Sequence, residues 1–294
     1  MGPTTTIPSA LPHGKAIMTA SQDNSRPRGA RLLLATHPVI SFFALAYAIS
    51  WPFFVLSHFP DSPLRTVLIA VGGFGPMLAA AIVIRSAAGS ITEWLRGLLH
   101  WRVSVGYYVY ALGLPVLIMA VMNVALAFLG ERPDWSQLPD RIPPYLLTFV
   151  LTALIFGGQE EPAWRGFALP RLEDRRSPMV ATLILGLGWG IWHVPLYGPA
   201  GFVVPLVLAF FYTWLYNKTR SILLCVLLHA SFTPAQDHLL LTADSFTVDA
   251  VLFASYVLAA AVLIVVTRGR LGLMQTPAPS PAETRRDEQG GPRS

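Results

Sequence analysis

Two adjacent glutamates, an arginine and two histidines are the residues of this chain best suited to chemistry, and all of them stand in or beside apolar stretches. Glu160, Glu161 and Arg165 lie in GGQEEPAWRGFALPRLE, directly after the apolar run PPYLLTFVLTALIF. His193 lies in GLGWGIWHVPLY and His229 in ILLCVLLHASF. Glu161 and Arg165 are four apart, so on a helix they share a face and form an ion pair. Glu160 projects about 100° away and stays free for another role. A carboxylate near two imidazoles suits hydrolysis: the glutamate takes a proton from water, and histidine assists it, stabilises an oxyanion or ligates a metal. Glu160, His193 and His229 would equally hold zinc with one position open. The HExxH pattern of helical zinc proteases is absent, as is GxSxG, and no serine is paired with an obvious base.

The elements that must position these residues are read from composition. The chain has 294 residues, 53% hydrophobic and 13% charged, against about 25% charged in soluble domains. A helix needs about 20 apolar residues to cross a hydrocarbon core of about 30 Å. Eight runs qualify, near 38–58, 64–84, 106–129, 144–164, 178–198, 201–217, 221–237 and 247–267, the sixth and seventh being short and joined by YNKTRS. The expected fold is an all-α, polytopic transmembrane bundle of about eight spans. A charge inside a membrane costs about 2.5–3.5 kcal/mol and is kept where it acts; of the 16 acidic residues only Glu160 and Glu161 fall within a span. If the fourth helix continues through Leu172, Glu160 lies about 18 Å from its inner end, His193 about 21 Å from Met179 and His229 about 12 Å from Ser221. Three helices would then bring these groups to one buried cavity. Gly157 and Gly158 permit close helix approach before the glutamates. Pro162 is expected to kink the helix after them. Gly186, Gly188 and Gly190 make the fifth helix thin on more than one side. Trp189 and Trp192 read as packing or cavity-wall residues, and Cys225 as a small core residue.

Charge sets orientation. With both termini inside, 18 of the 21 basic residues fall in inner segments, Arg165 and the Arg171, Arg175 and Arg176 cluster among them; only Arg65, Arg132 and Arg141 lie outside. Asp61, Glu131, Asp134, Asp140, Asp237, Asp244 and Asp249 fill the outer loops. The net charge of +5 is therefore mostly topology, and no nucleic-acid partner is implied. Residues 1–30 and 271–294 are polar, Pro-rich tails expected to be disordered around a transmembrane domain at 31–270. No apolar region with a cleavage site precedes the first span, so a secretory signal is not indicated, and MTASQDNSRPRG suggests Met18 as the starting residue. The Arg-, Pro- and Ala-rich tail suggests a high-GC bacterium, hence a protein integral to a bacterial plasma membrane.

At these residues a family resemblance appears. EEPAWR (Glu160–Arg165) resembles the EExxxR motif of the CAAX-protease and bacteriocin-processing family, relatives of the Rce1-type prenyl protease. WGIWH (Trp189–His193) resembles its FxxxH motif, with Trp for Phe, and HASFT (His229–Thr233) resembles HxxxN. The motifs stand in the family's order on separate spans, across a core at about 144–237. The resemblance implies an intramembrane endopeptidase acting on membrane-embedded or membrane-associated peptides or proteins. It implies that Glu160 activates water, that His193 assists or ligates a metal, and that His229 and position 233 stabilise the oxyanion. Glu161 and Arg165 would organise the site. The family has Asn where this chain has Thr233, whose hydroxyl reaches less far. Two other classes stay open: a non-catalytic immunity or scaffold protein that uses the same fold, and a transporter with Glu160 as proton relay.

Overall fold

The computed structural model describes residues 29–59, 63–243 and 245–273, and no strand occurs among them. Helix α1 (Gly29–Thr36) leads into α2 (Pro38–Leu56); α3 (Pro63–Gly73) and α4 (Gly75–Ser86) make one span broken at Phe74. A short α5 (Ile91–Leu95), capped by Ser90, precedes α6 (Val105–Phe128) and α7 (Leu138–Leu154). The motif segment holds α8 (Glu161–Ala163) and α9 (Leu169–Glu173), and α10 (Pro178–Tyr197), α11 (Val203–Thr219), α12 (Ile222–His238) and α13 (Phe246–Val266) follow. The expected tails at 1–28 and 274–294 lie outside the described residues. Residues just inside those limits are ordered by contact: α1 begins at Gly29, and the Leu271 carbonyl accepts from Asn217 at 3.1 Å.

All eight expected spans fall on helices, and six described stretches are long and apolar enough to cross a membrane. The two that fall short are α11 and α12, at 17 residues each, or about 25 Å of rise. Their sides explain this. From Leu208 to Tyr216 almost every α11 side chain is buried, and α12 is buried from Leu224 to Ala235 with few interruptions. These two helices pack against protein, where a bilayer's thickness does not set their length. By contrast α6 turns Val109, Leu117, Val121 and Val124 outward, an apolar face suited to lipid.

Neighbours run antiparallel where short loops join them. Gly186 of α10 lies against Leu206 of α11, and Gly190 against Phe202 in the turn before α11. Gly188, on another side of α10, lies against the Phe43 ring of α2, and Tyr47 donates to the Gly188 carbonyl at 2.9 Å. The three glycines thin α10 toward two neighbours, as their two-residue spacing implied.

The fourth span corrects an expectation. It does not run as one helix through Leu172: α7 ends at Leu154, and the chain breaks at 155–157, where Gly157 has φ of +151°. A tight turn at Gly158–Glu160 restarts it, and Trp164–Ala168 form a π turn between α8 and α9. Pro162 therefore does not kink a helix after the glutamates. It sits in the first turn of the new one, where its missing N–H leaves no bond unmade. The proline carbonyl accepts from Trp94 Nε1 at 2.8 Å.

Candidate active site

The break turns the glutamates inward. Glu160 and Glu161, 5% and 0% exposed, sit at the first turn of the restarted helix and face different neighbours. Glu160 Oε2 accepts from the Trp189 indole at 2.8 Å and the Trp164 indole at 3.1 Å. Its Oε1 receives no hydrogen bond from a described residue, and Glu160 lines a cavity of about 360 Å³. Glu161 turns away, as the 100° step implied, and both its oxygens accept from Arg165 Nη1 at 2.9 Å.

Arg165 is wholly buried, its guanidinium between the rings of Trp189 and Tyr212, 4.2 and 4.0 Å from their centroids. Its placement among inner-loop cations is thereby corrected: it is an intramembrane partner of Glu161. A desolvated cation over an aromatic face gains about 2 kcal/mol or more, which helps to hold a charge that water does not reach.

The two histidines are oriented by their Nδ1 atoms. His193 Nδ1 contacts the Trp189 carbonyl at 2.9 Å; a carbonyl only accepts, so Nδ1 carries the proton and Nε2 of the neutral ring is an acceptor. His229 Nδ1 donates to Glu161 Oε1 at 2.8 Å. Its Nε2 edge lies against Gly157, where a Cβ would overlap the ring. The left-handed glycine thus makes room for an imidazole. Thr233, one turn beyond His229, lines the cavity.

All six residues singled out from the sequence converge here: Glu160, His193, His229 and Thr233 at the cavity, Glu161 and Arg165 behind it. Sequence reasoning missed the residues that hold them. Trp189 hydrogen-bonds Glu160, touches His193 and His229 edge-on and covers Arg165, so it is more than a wall. Trp164 stands four residues from Glu160, a spacing that could have revealed it. Gln159 accepts from the Gly157 amide at 2.7 Å, while its buried Nε2 has no partner among the described residues.

The zinc set fares differently. Among the described residues no three His, Cys, Asp or Glu side chains stand close enough together to hold a metal ion. Glu160 Oε2 and His229 Nδ1 are already engaged. The donors left to a metal would be Glu160 Oε1 and the Nε2 atoms of His193 and His229, which this arrangement does not gather around one point.

The family comparison falls on this segment. Residues 142–233 match the family described as type II CAAX prenyl endopeptidase Rce1-like. The CAAX prenyl protease 2 of Methanococcus maripaludis is 28% identical over 156 residues, which are 45% of this chain and 56% of that protein. The match thus spans little more than half of the relative's length. Six described helices long and apolar enough to cross a membrane mark an integral membrane protein, and residues 142–233, which carry EEPAWR, WGIWH and HASFT, are similar to the Rce1-like CAAX endopeptidase family.

Proposed function

We propose that the chain is an intramembrane endopeptidase that hydrolyses peptide bonds of membrane-associated peptides or proteins with water activated by Glu160. The observation that carries this reading is the asymmetry of the Glu160 carboxylate: two indoles hold Oε2, and Oε1 is left to the cavity. Oε1 takes a proton from water, and the hydroxide adds to the carbonyl carbon. His193 Nε2 accepts from that water and keeps it aligned. In its imidazolium form His229 donates from Nδ1 to Glu161 and from Nε2 to the oxyanion, with Thr233 lining the same cavity. Collapse of the tetrahedral adduct breaks the C–N bond as the proton passes from Glu160 to the leaving nitrogen. General acid–base groups of this kind contribute about 10²–10⁴-fold. No step passes through a metal.

The relative's name refers to prenylated CAAX proteins; for this chain we place the protein in a bacterial plasma membrane with cytoplasmic termini, and its substrates among membrane peptides. The test uses the purified full chain in detergent with a quenched hydrophobic peptide library. Glu160→Gln and His193→Ala are expected to lose at least about a hundredfold in cleavage with folding intact, and chelator to leave wild-type cleavage within about twofold. Cleavage that survives Glu160→Gln would sink the mechanism. Loss on chelation with recovery on added zinc would restore the metal.

A further inference from the structure

The cavity has a direction. From Glu160 it follows α10 outward through His193 to Tyr197, passes Gly201, and follows α12 from His229 to Asp237. Tyr197, Gly201 and Asp237 lie at helix ends or in the turn between helices, so the cavity leads to one end of the bundle rather than to its flank.

Contacts fix which loops share that end. His58, just after α2, meets the Pro195 carbonyl near the end of α10 at 2.7 Å. The Asp134 amide, after α6, donates to the Leu241 carbonyl after α12 at 2.8 Å. The other end is equally well joined. Arg31 donates to the Ser86 carbonyl at 3.3 Å, and Ser221 donates to the His100 carbonyl at 2.6 Å. Gly269 lies against Met179.

The two ends differ in charge. The far end carries the basic loops, with Arg85, Arg96, Arg102, Arg175, Arg176 and Arg268 within a few residues of a span. The cavity end has Arg65, Arg132 and Arg141 against Glu131, Asp134, Asp140, Asp237 and Asp249. No lysine or arginine lines the cavity. Short loops rich in Lys and Arg stay in the cytoplasm, so the cavity end is the opposite one.

We infer that the cavity opens on the non-cytoplasmic face of the membrane, and that its substrates are peptide segments presented from that side, on exported or membrane-anchored chains. A C-terminus lipidated in the cytoplasm would meet the basic end, away from this cavity. This inference rests on the proteolytic reading for the word substrate, and on geometry and charge alone for the sidedness.

The chain suits a direct test, because its single cysteine, Cys225, is wholly buried. Single cysteines would be placed by Asp140→Cys and Asp237→Cys at the cavity end and by Asp174→Cys at the basic end, each in full-length Cys225→Ala protein. Cells expressing each variant are treated with a membrane-impermeant maleimide before and after permeabilisation. Asp140→Cys and Asp237→Cys are expected to label in intact cells, and Asp174→Cys only after permeabilisation, by at least about tenfold in band intensity. The reverse pattern overturns the inference. Labelling of Asp140→Cys without Asp237→Cys overturns the open mouth and leaves the sidedness of the loops. Purified wild-type and Glu160→Gln proteins are assayed in parallel. Reversed labelling with Glu160-dependent cleavage defeats the sidedness and spares the protease. Labelling as expected without any cleavage spares the sidedness and defeats the protease.

Discussion

At the scale of residues, adjacent glutamates divide into one that meets the cavity and one that supports the structure, and substitution separates them. Glu161→Ala leaves the Arg165 guanidinium buried without its carboxylate, a loss of about 3–5 kcal/mol. It is expected to appear as a lowered melting temperature and aggregation in detergent. Trp189→Phe keeps the aromatic bulk and removes one donor to Glu160. A hydrogen bond to a charged group is worth about 1.5–3 kcal/mol, so kcat should fall about 10–100-fold with KM nearly unchanged; an effect on KM alone would make Trp189 a substrate-binding wall. The charged and imidazole members of the site were legible because polar groups stand out in apolar runs. Trp189 was not, because an indole in a membrane helix usually packs, and only the fold puts its N–H within reach of Glu160.

At the scale of elements, the break at 155–157 decides whether the site forms. Gly157 has φ of +151°, and a Cβ there would overlap His229. Gly157→Ala therefore meets both a backbone strain of about 1–3 kcal/mol and a displaced imidazole. It should lower the melting temperature and abolish cleavage. Adding His229→Ala should recover part of the melting temperature and none of the activity; no recovery would assign the whole effect to backbone strain. The positions of the long helices were legible from hydropathy. The break was not, because PPYLLTFVLTALIF and the motif read as one continuous run. Its cause is local: two glycines free the backbone, and Pro162 starts a helix better than it continues one.

At the scale of the whole molecule, burial is uneven. The two helices too short to cross alone, α11 and α12, form part of the inside, and α6 and α13 keep apolar sides outward. Leu117, 60% exposed on α6, should tolerate apolar exchange, whereas Leu117→Arg should cost about 2.5–3.5 kcal/mol and reduce the yield of inserted protein. Equal yields would place that face against protein. Hydropathy alone does not separate a lipid-facing helix from an enclosed one, so their difference was invisible in the sequence.

The spacing of Glu161 and Arg165 also bears on how the protein is made. The partners are one helical turn apart, so the pair closes as soon as that turn forms, before α10, α11 and α12 are synthesised. A segment so paired would enter the bilayer with its two charges already cancelled. Tyr212 and His229, which arrive later in the chain, meet a finished ion pair rather than a bare cation.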